Sequence, residues 1–385
     1  MRALIFCLAL LAGSAQAAMT PAMANKVQDA WALFEQDKLA EAIALLEPLK
    51  PRDAEGQAYV ARLLGSLYWA AEQPDKALAQ LEQALAAGVL NEMSAAQTRR
   101  MVADILMMNE RFAEALGHYQ GIRDSGPEAM VTAELHLRIA QSHFQLEQWA
   151  EVVPAAKASV ALEPAVAPYQ MMLSAHQQLE QWPQALRVTQ ALIDLAPDQL
   201  SWWRQRASIQ LRLADQEGAL RTLALAQQQG LLASEGDYRS LVQLFANRQL
   251  PELAARLMAD QLGQTLPDDE ANRVQLARYW QQAREWAQAQ AAWGAAAKLN
   301  PKYRVNQFEV RVMQSDYEQA VALLPQLDEL RLEREDRARV EMMAVRAYYQ
   351  MGQYAEALAR AEQAARYDRD AAEPWFAFLQ EKLSL

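Results

Sequence analysis

The chain has 385 residues, a formal net charge of −11 and a single cysteine. That charge argues against a nucleic acid or an anionic membrane surface as partner, and one cysteine excludes a disulfide-stapled fold. Glycine is scarce, alanine, leucine and glutamine dominate, and nowhere do apolar and polar residues alternate as in a half-buried strand, so the composition points to helix throughout.

In chain order, the first element is a positive start, Met1–Arg2, followed by an apolar run over 3–12 and the small-residue stretch Gly13–Ser14–Ala15–Gln16–Ala17. This reads as a secretory signal peptide over 1–17, cut after Ala17. The run is well short of the roughly 20 residues needed to span a bilayer, and no later stretch is long and apolar enough either. Cys7 lies inside the run and is lost with it, and it lacks the Leu-x-[Gly/Ala]-Cys setting of a lipid anchor. The expected mature protein therefore carries no thiol nucleophile, and losing Arg2 moves its formal charge from −11 to −12.

Beyond the leader a period emerges. The pentapeptide QLEQW occurs at Gln145–Trp149 and again at Gln178–Trp182, 33 residues on. A small residue recurs at Ala42, Ala77, Ala115, Val152, Ala185, Ala219, Ala254, Ala289, Ala320 and Ala357, with gaps between 31 and 38. Three positions before these stand Leu39, Pro74, Phe112, Trp149, Trp182, Gln216, Pro251, Trp286, Tyr317 and Tyr354. Twelve positions before most of them lies a second small residue, at Ala30, Gly65, Ala103, Ala140, Ala207 and Ala277. Pro127, Pro164, Pro197, Pro267 and Pro301 close several units, as suits a residue that cannot continue a helix.

These residues resemble the tetratricopeptide repeat. The nearest match to the repeat's first half is Leu64–Gly65 with Tyr68, and to its second half Gly352–Gln353–Tyr354 with Ala357, while Trp203 takes the first aromatic position of its unit. The resemblance implies an all-α, right-handed α-solenoid of about ten helical hairpins. A final capping helix is expected over about Ala372–Leu383. Small residues let the two helices of a hairpin approach, and because one hairpin cannot bury its own apolar face, the units must stack. The expected organisation is 1–17 leader, 18–230 and 231–385 repeats, with a soft joint near 227–237 carrying Gly230 and Gly236. Leu330–Arg339 is a charge-dense linker or a long helix end.

Such a scaffold hosts many functions, so chemistry has to be sought residue by residue. There is no HExxH, no glycine-rich phosphate loop and no GxSxG. His136 and His143 lie seven apart on one helix, a weak metal signal beside His118 and His176. Asp268–Asp269–Glu270 follows Pro267 and suits a helix start, where acids accept from free N–H groups. Trp149, Trp182, Trp286 and Trp293 fall at packing positions and are expected in the core. No catalytic group, cofactor or metal is expected.

The first helix of each hairpin, here the A helix, is expected to line the concave wall, where such proteins hold extended peptides. Aligning units on the recurring alanine predicts an apolar set (Trp31, Phe34, Tyr59, Trp69, Met107, Met108 and Phe144) and a polar set. The polar set comprises Arg62, Arg100, Gln170, Gln177, Arg204, Arg212, Arg239, Gln243, Asn247, Arg278, Gln281, Gln282, Arg339 and Arg346, with Tyr349 beside it. Acids in this wall are few: Glu35, Asp104, Glu134 and Glu309. A planar guanidinium suits a carboxylate, so the wall fits an extended partner segment carrying carboxylates. The alternative, that these arginines pair with acids of neighbouring helices, stays open.

The opening of the expected mature chain, KVQDAWALFEQDKLAEAIALLEPLK and onward through QLEQALAAGVLNEMSAAQTRRMVADILMMNERFAEALGHYQ, resembles exported repeat proteins associated with TonB energy-transduction systems. That resemblance implies a periplasmic, non-enzymatic scaffold accompanying a TonB–ExbB–ExbD-type complex. No short motif of that family defines a binding residue. A scaffold for envelope assembly or secretion is the second reading, and a solenoid transglycosylase, for which no lysozyme-like segment is left over, the third.

Overall fold

A computed structural model describes residues 20–384; the expected leader, with Arg2 and Cys7, lies outside them. The chain divides into two compact units, residues 1–197 and 198–385. Among the described residues both are built from helices packed in sequence order.

In the first unit the hairpins are α1 (Pro21–Glu35) with α2 (Leu39–Leu46), α3 (Ala54–Ala70) with α4 (Pro74–Ala86), α5 (Glu92–Met108) with α6 (Phe112–Ser125), α7 (Ala133–Gln145) with α8 (Trp149–Leu162), and α9 (Val166–Gln178) with α10 (Trp182–Leu195). The second unit holds α11 (Leu200–Arg212) with α12 (Gln216–Gln228), α13 (Glu235–Asn247) with α14 (Pro251–Gln261), and α15 (Glu270–Gln282) with α16 (Trp286–Leu299). There follow α17 (Arg304–Met313) with two short helices, α18 (Tyr317–Val321) and α19 (Leu324–Asp328), then α20 (Arg334–Gln350) with α21 (Tyr354–Ala364), and last α22 (Arg369–Ser384). The all-α expectation of ten hairpins and a final helix holds.

Every recurring small residue, from Ala42 to Ala357 and including Val152, is 0% exposed. The residue three before it is in each case the first of the second helix. The ten hairpin turns share one backbone device. Asp37, Glu72, Glu110, Glu147, Glu180, Ala214, Gln249, Arg284, Ser315 and Gly352 each adopt positive φ, between 54° and 74°. The next residue's N–H then donates to the carbonyl five positions back, as Gln148 does to His143 at 2.9 Å and Gln181 to His176 at 2.8 Å. This is the Schellman closure of a helix C-terminus. Only Gly352 supplies the residue type that enters this region without strain.

The repeated QLEQW is therefore a turn. Its first glutamine ends or nearly ends the A helix, its glutamate takes the left-handed position, and its tryptophan opens the second helix. Its second glutamine lies beside a buried histidine one turn back: Gln148 Oε1 is 2.7 Å from His143 Nδ1, and Gln181 Oε1 is 2.8 Å from His176 Nδ1. His143 thus pairs by position with His176, one repeat on, rather than with His136.

Three details differ from expectation or complete it. Trp293 is buried, but Trp149, Trp182 and Trp286 are only half-buried. Each is the first residue of its helix, and Trp149 meets Phe144 edge-on with ring centres 5.0 Å apart. The second helix after α17 is broken at Ala322–Leu323, where Pro325, in the first turn of α19, can supply no N–H to a continuous helix. Of Leu330–Arg339, only 330–333 are loop; Arg334 onward is the first part of α20.

Candidate functional site

The A helices carry the residues of interest, and within each unit polar contacts join consecutive A helices at one-repeat spacing. Arg62 on α3 donates to Gln97 on α5 (3.2 Å), Arg100 on α5 pairs with Glu134 on α7 (2.6 Å), and Ser142 on α7 reaches the Met107 sulfur (3.2 Å). In the second unit Arg204 on α11 clasps Asp237 on α13 with two hydrogen bonds of 2.7 and 2.8 Å. Side chains about 35 residues apart thus meet because neighbouring A helices run side by side.

Each arginine of the polar set has its own surroundings. Arg100 also contacts Asp104 at 3.4 Å, and Asp104 in turn accepts from the fully buried Tyr119 hydroxyl; burial first, then Asp104, hold that phenol protonated far above its usual range. Arg239 pairs with Glu235 one turn back (2.7 Å), and Arg339 with Asp336 (2.9 Å). Gln243 donates to Asn247 (2.7 Å). Arg278, Gln282 and Arg346 stand exposed on α15 and α20, and Arg212 ends α11. Part of the polar set's positive charge is therefore met in place by carboxylates. Asp237 is the acid that sequence reasoning missed. Its signal was the Ser234-x-x-Asp237 spacing of a capping box, which forms in full. The Arg204 guanidinium and Ser234 hold the Asp237 carboxyl well below the usual carboxylate range.

Arg62 differs from all of these. It is 5% exposed, its hydrogen bond goes to a neutral carboxamide, and its Nε–H has no acceptor. One helical turn back lies Tyr59, with Trp31 of α1 near its phenol. Burial lowers the Arg62 guanidinium from its ordinary value, and burial raises the Tyr59 phenol, with Arg62 and Trp31 opposing. Trp31 meets Phe34 edge-on at 5.7 Å, and Trp31, Phe34, Tyr59, Trp69 and Met107 all lie half-buried against the same apolar core. Met108, by contrast, is 67% exposed. Gln97, the acceptor for Arg62, was absent from the predicted set, although it stands 35 residues from Arg62, one repeat on.

The pattern of acids at 268–270 serves the helix start. Asp269 accepts from the Asn272 N–H at 2.8 Å, Asp268 pairs with Arg273 at 2.6 Å, and Glu270 accepts from the Tyr303 hydroxyl at 2.8 Å. Tyr68, the residue matched to the repeat's conserved-type tyrosine position, donates to Glu47 at the end of α2; burial and that carboxylate push its phenol up to about 12.

Comparison with known proteins places these hairpins. Residues 62–129 match the tetratricopeptide repeat family model. A tetratricopeptide repeat protein from Parabacteroides merdae is similar in structure, with 13% identity, 68% of this chain and 99% of that one covered, and a TM-score of 0.38. The C-terminal part of a TPR repeat-containing protein from Cytophaga hutchinsonii gives 16%, 71%, 95% and 0.39 for the same measures. YrrB, described as a TPR protein with an unusual peptide-binding site, gives 17%, 53%, 92% and 0.37. No curated protein sequence is similar to this chain. Residues 62–129 carry tetratricopeptide repeats.

Proposed function

We propose that this tetratricopeptide-repeat chain is a non-enzymatic scaffold that holds an extended segment of a partner protein along its A helices. We further propose that it works in the periplasm, as an accessory of a TonB-type system that energises outer-membrane transport. The observation that carries the first part is the set of A-helix side chains that meet one repeat apart within each unit. It presents arginine, glutamine and aromatic groups of the kind that pair with peptide carboxylates and backbone. The export and TonB parts rest on the leader-like N-terminal sequence and on the sequence resemblance. Helices this rich in buried alanine and aliphatic residues make a rigid support, which spares a bound peptide the cost of ordering its receptor.

Site-specific photo-crosslinking in cells tests the reading. The probe goes at Gln243, which is exposed on α13, with a control at Arg221 on the second helix α12, whose side chain is 68% exposed. Crosslinks to a TonB-like protein from Gln243 alone are the expected result. Crosslinks from Arg221 alone would move binding to the other face, and none from either would remove the scaffold reading. N-terminal sequencing of the mature protein from a periplasmic extract is expected to start at Ala18.

A further inference from the structure

We infer that the first two hairpins hold a binding cleft for a small aliphatic zwitterion, a molecule whose ammonium and carboxylate are separated by an apolar spacer, with Glu47 receiving the ammonium and Lys50 the carboxylate. The cleft, of about 340 Å³, lies between the loop that leaves α2, the helix α3 and the helix α4. That is within the size range of small-ligand pockets, at its lower end. None of its lining residues belongs to the apolar or polar set of the A-helix wall, so the cleft is separate from the proposed partner-binding row. It exists because α2 is short. This helix has 8 residues, where the second helices α4, α6, α8 and α10 have 13 or 14. Pro48 has no N–H to carry the helix on. The chain therefore turns away after Glu47, and part of the surface where α3 meets α4 stays open to solvent.

The two ends of the cleft carry opposite charge. Its floor follows α3 from Gln57 through Val60, Ala61 and Leu64 to Tyr68, about 16 Å at about 1.5 Å per residue. At one end the Tyr68 hydroxyl donates to Glu47. At the other, Gln57 donates to the Pro51 carbonyl at 3.0 Å, which brings in Lys50, the neighbour of Pro51 in the chain. Glu47 and Lys50 are both exposed, so the mouth is open, and neither pairs with an opposite charge among the described residues. A carboxylate has about four lone-pair sites and Tyr68 fills one, so Glu47 keeps capacity for an ammonium while the phenol holds it in place beforehand. An ammonium is already drawn to that end: Lys76 Nζ lies 5.3 Å from the Tyr68 ring centre. Between the ends Val60, Ala61 and Leu64 offer only aliphatic side chains, while Gln80 and Gln83 of α4 face them. A ligand charged at one end alone would satisfy one of the two groups. An α-amino acid holds its charges too close together to meet both.

The test is a ligand-observed NMR titration of the full chain with ε-aminocaproate, hexylamine, hexanoate and β-alanine. Expected is binding of ε-aminocaproate at one site, about tenfold tighter than any of the other three, as for one added charge-assisted hydrogen-bonded pair. Glu47→Gln, which keeps an oxygen for the Tyr68 hydroxyl, should remove the preference for ε-aminocaproate over hexanoate and leave the preference over hexylamine. Lys50→Met should do the reverse. Both residues are exposed, so the variants should fold, which circular dichroism checks. No binding of ε-aminocaproate at millimolar concentration, equal binding of all four compounds, or a preference unchanged in either variant would overturn the inference. So would β-alanine binding as tightly as ε-aminocaproate, since it lacks the spacer.

Discussion

Gly65 shows how finely single residues set the hairpin spacing. A Cβ built there would lie 2.6 Å from Leu81 Cγ and 3.2 Å from the Ala77 carbonyl oxygen. Alanine is worth about 1 kcal/mol over glycine in a helix interior, but overpacking a closed contact costs about 1–3 kcal/mol. Leu81 is itself fully buried and the carbonyl is backbone, so the steric cost prevails. Gly65→Ala is therefore expected to lower stability by about 1 kcal/mol, seen as a lower urea midpoint, and Leu81→Ala in the same chain should erase that increment. Asp237 offers a second residue-scale expectation. Its carboxyl is 6% exposed, clasped by Arg204 and by the cap at Ser234. Its folded-state pKa is depressed, so its contribution is complete above the ordinary carboxylate value of about 4 and fades as the pH falls below it. Asp237→Asn should cost about 1–2 kcal/mol at pH 7, and the gap between variant and parent should narrow in urea titrations carried down to pH 3. The positions of the buried alanines were legible in the sequence because a contact that tolerates only a small side chain leaves a periodic mark. Asp237 and Gln97 were not picked out, because a polar partner one repeat away leaves no mark of its own among many exposed polar residues.

At the scale of the element, the ten turns are one device written with different residues. Nine of the ten left-handed positions are not glycine. An L-residue there costs roughly 1–2 kcal/mol, partly offset by the lower entropy of its unfolded chain. Ala214 is exposed and has φ of 59°, so Ala214→Gly is expected to raise stability by about 0.5–1 kcal/mol, measured as a higher urea midpoint. Gly352→Ala should lower it by a similar amount. The sequence marks the turns only indirectly, through the repeated QLEQW and the recurring residue three before each buried small residue. Their backbone conformation is not marked, since glutamate, glutamine, arginine and serine give no warning of positive φ. The break between α18 and α19 belongs to the same scale. Pro325 announces it, yet only the structure shows that the second half of this hairpin survives as two short helices.

For the molecule as a whole, hairpins that touch chiefly their neighbours should fail locally. The C-terminal hairpin supplies the test. Glu341 is buried on α20 and is contacted by Arg360 of α21 at 3.0 Å and Arg337 at 3.8 Å, while Arg360 also reaches Asp328 of α19 at 3.0 Å. Burial raises the Glu341 carboxyl, and the bonds to Asp328 and Glu341 leave the Arg360 guanidinium above its ordinary value despite its own burial. Arg360→Ala removes the nearer cation and leaves a largely uncompensated buried acid, a loss of about 3 kcal/mol. Amide hydrogen exchange should then accelerate in α20–α22 while α3–α8 keep their protection; uniform acceleration would contradict the nearest-neighbour picture.

The sequence by itself determined the helical class, the period and the small residue that every hairpin buries. These are local or one-repeat constraints, imposed by backbone hydrogen bonding and close packing, and they recur often enough to be read without coordinates. Only the tertiary structure decided which arginines of the A helices are matched by acids and which is not. Arg100, Arg204 and Arg62 look alike as letters in register. Their difference lies in whether a carboxylate from the next A helix arrives within 3 Å, and that distance depends on how neighbouring helices are set side by side.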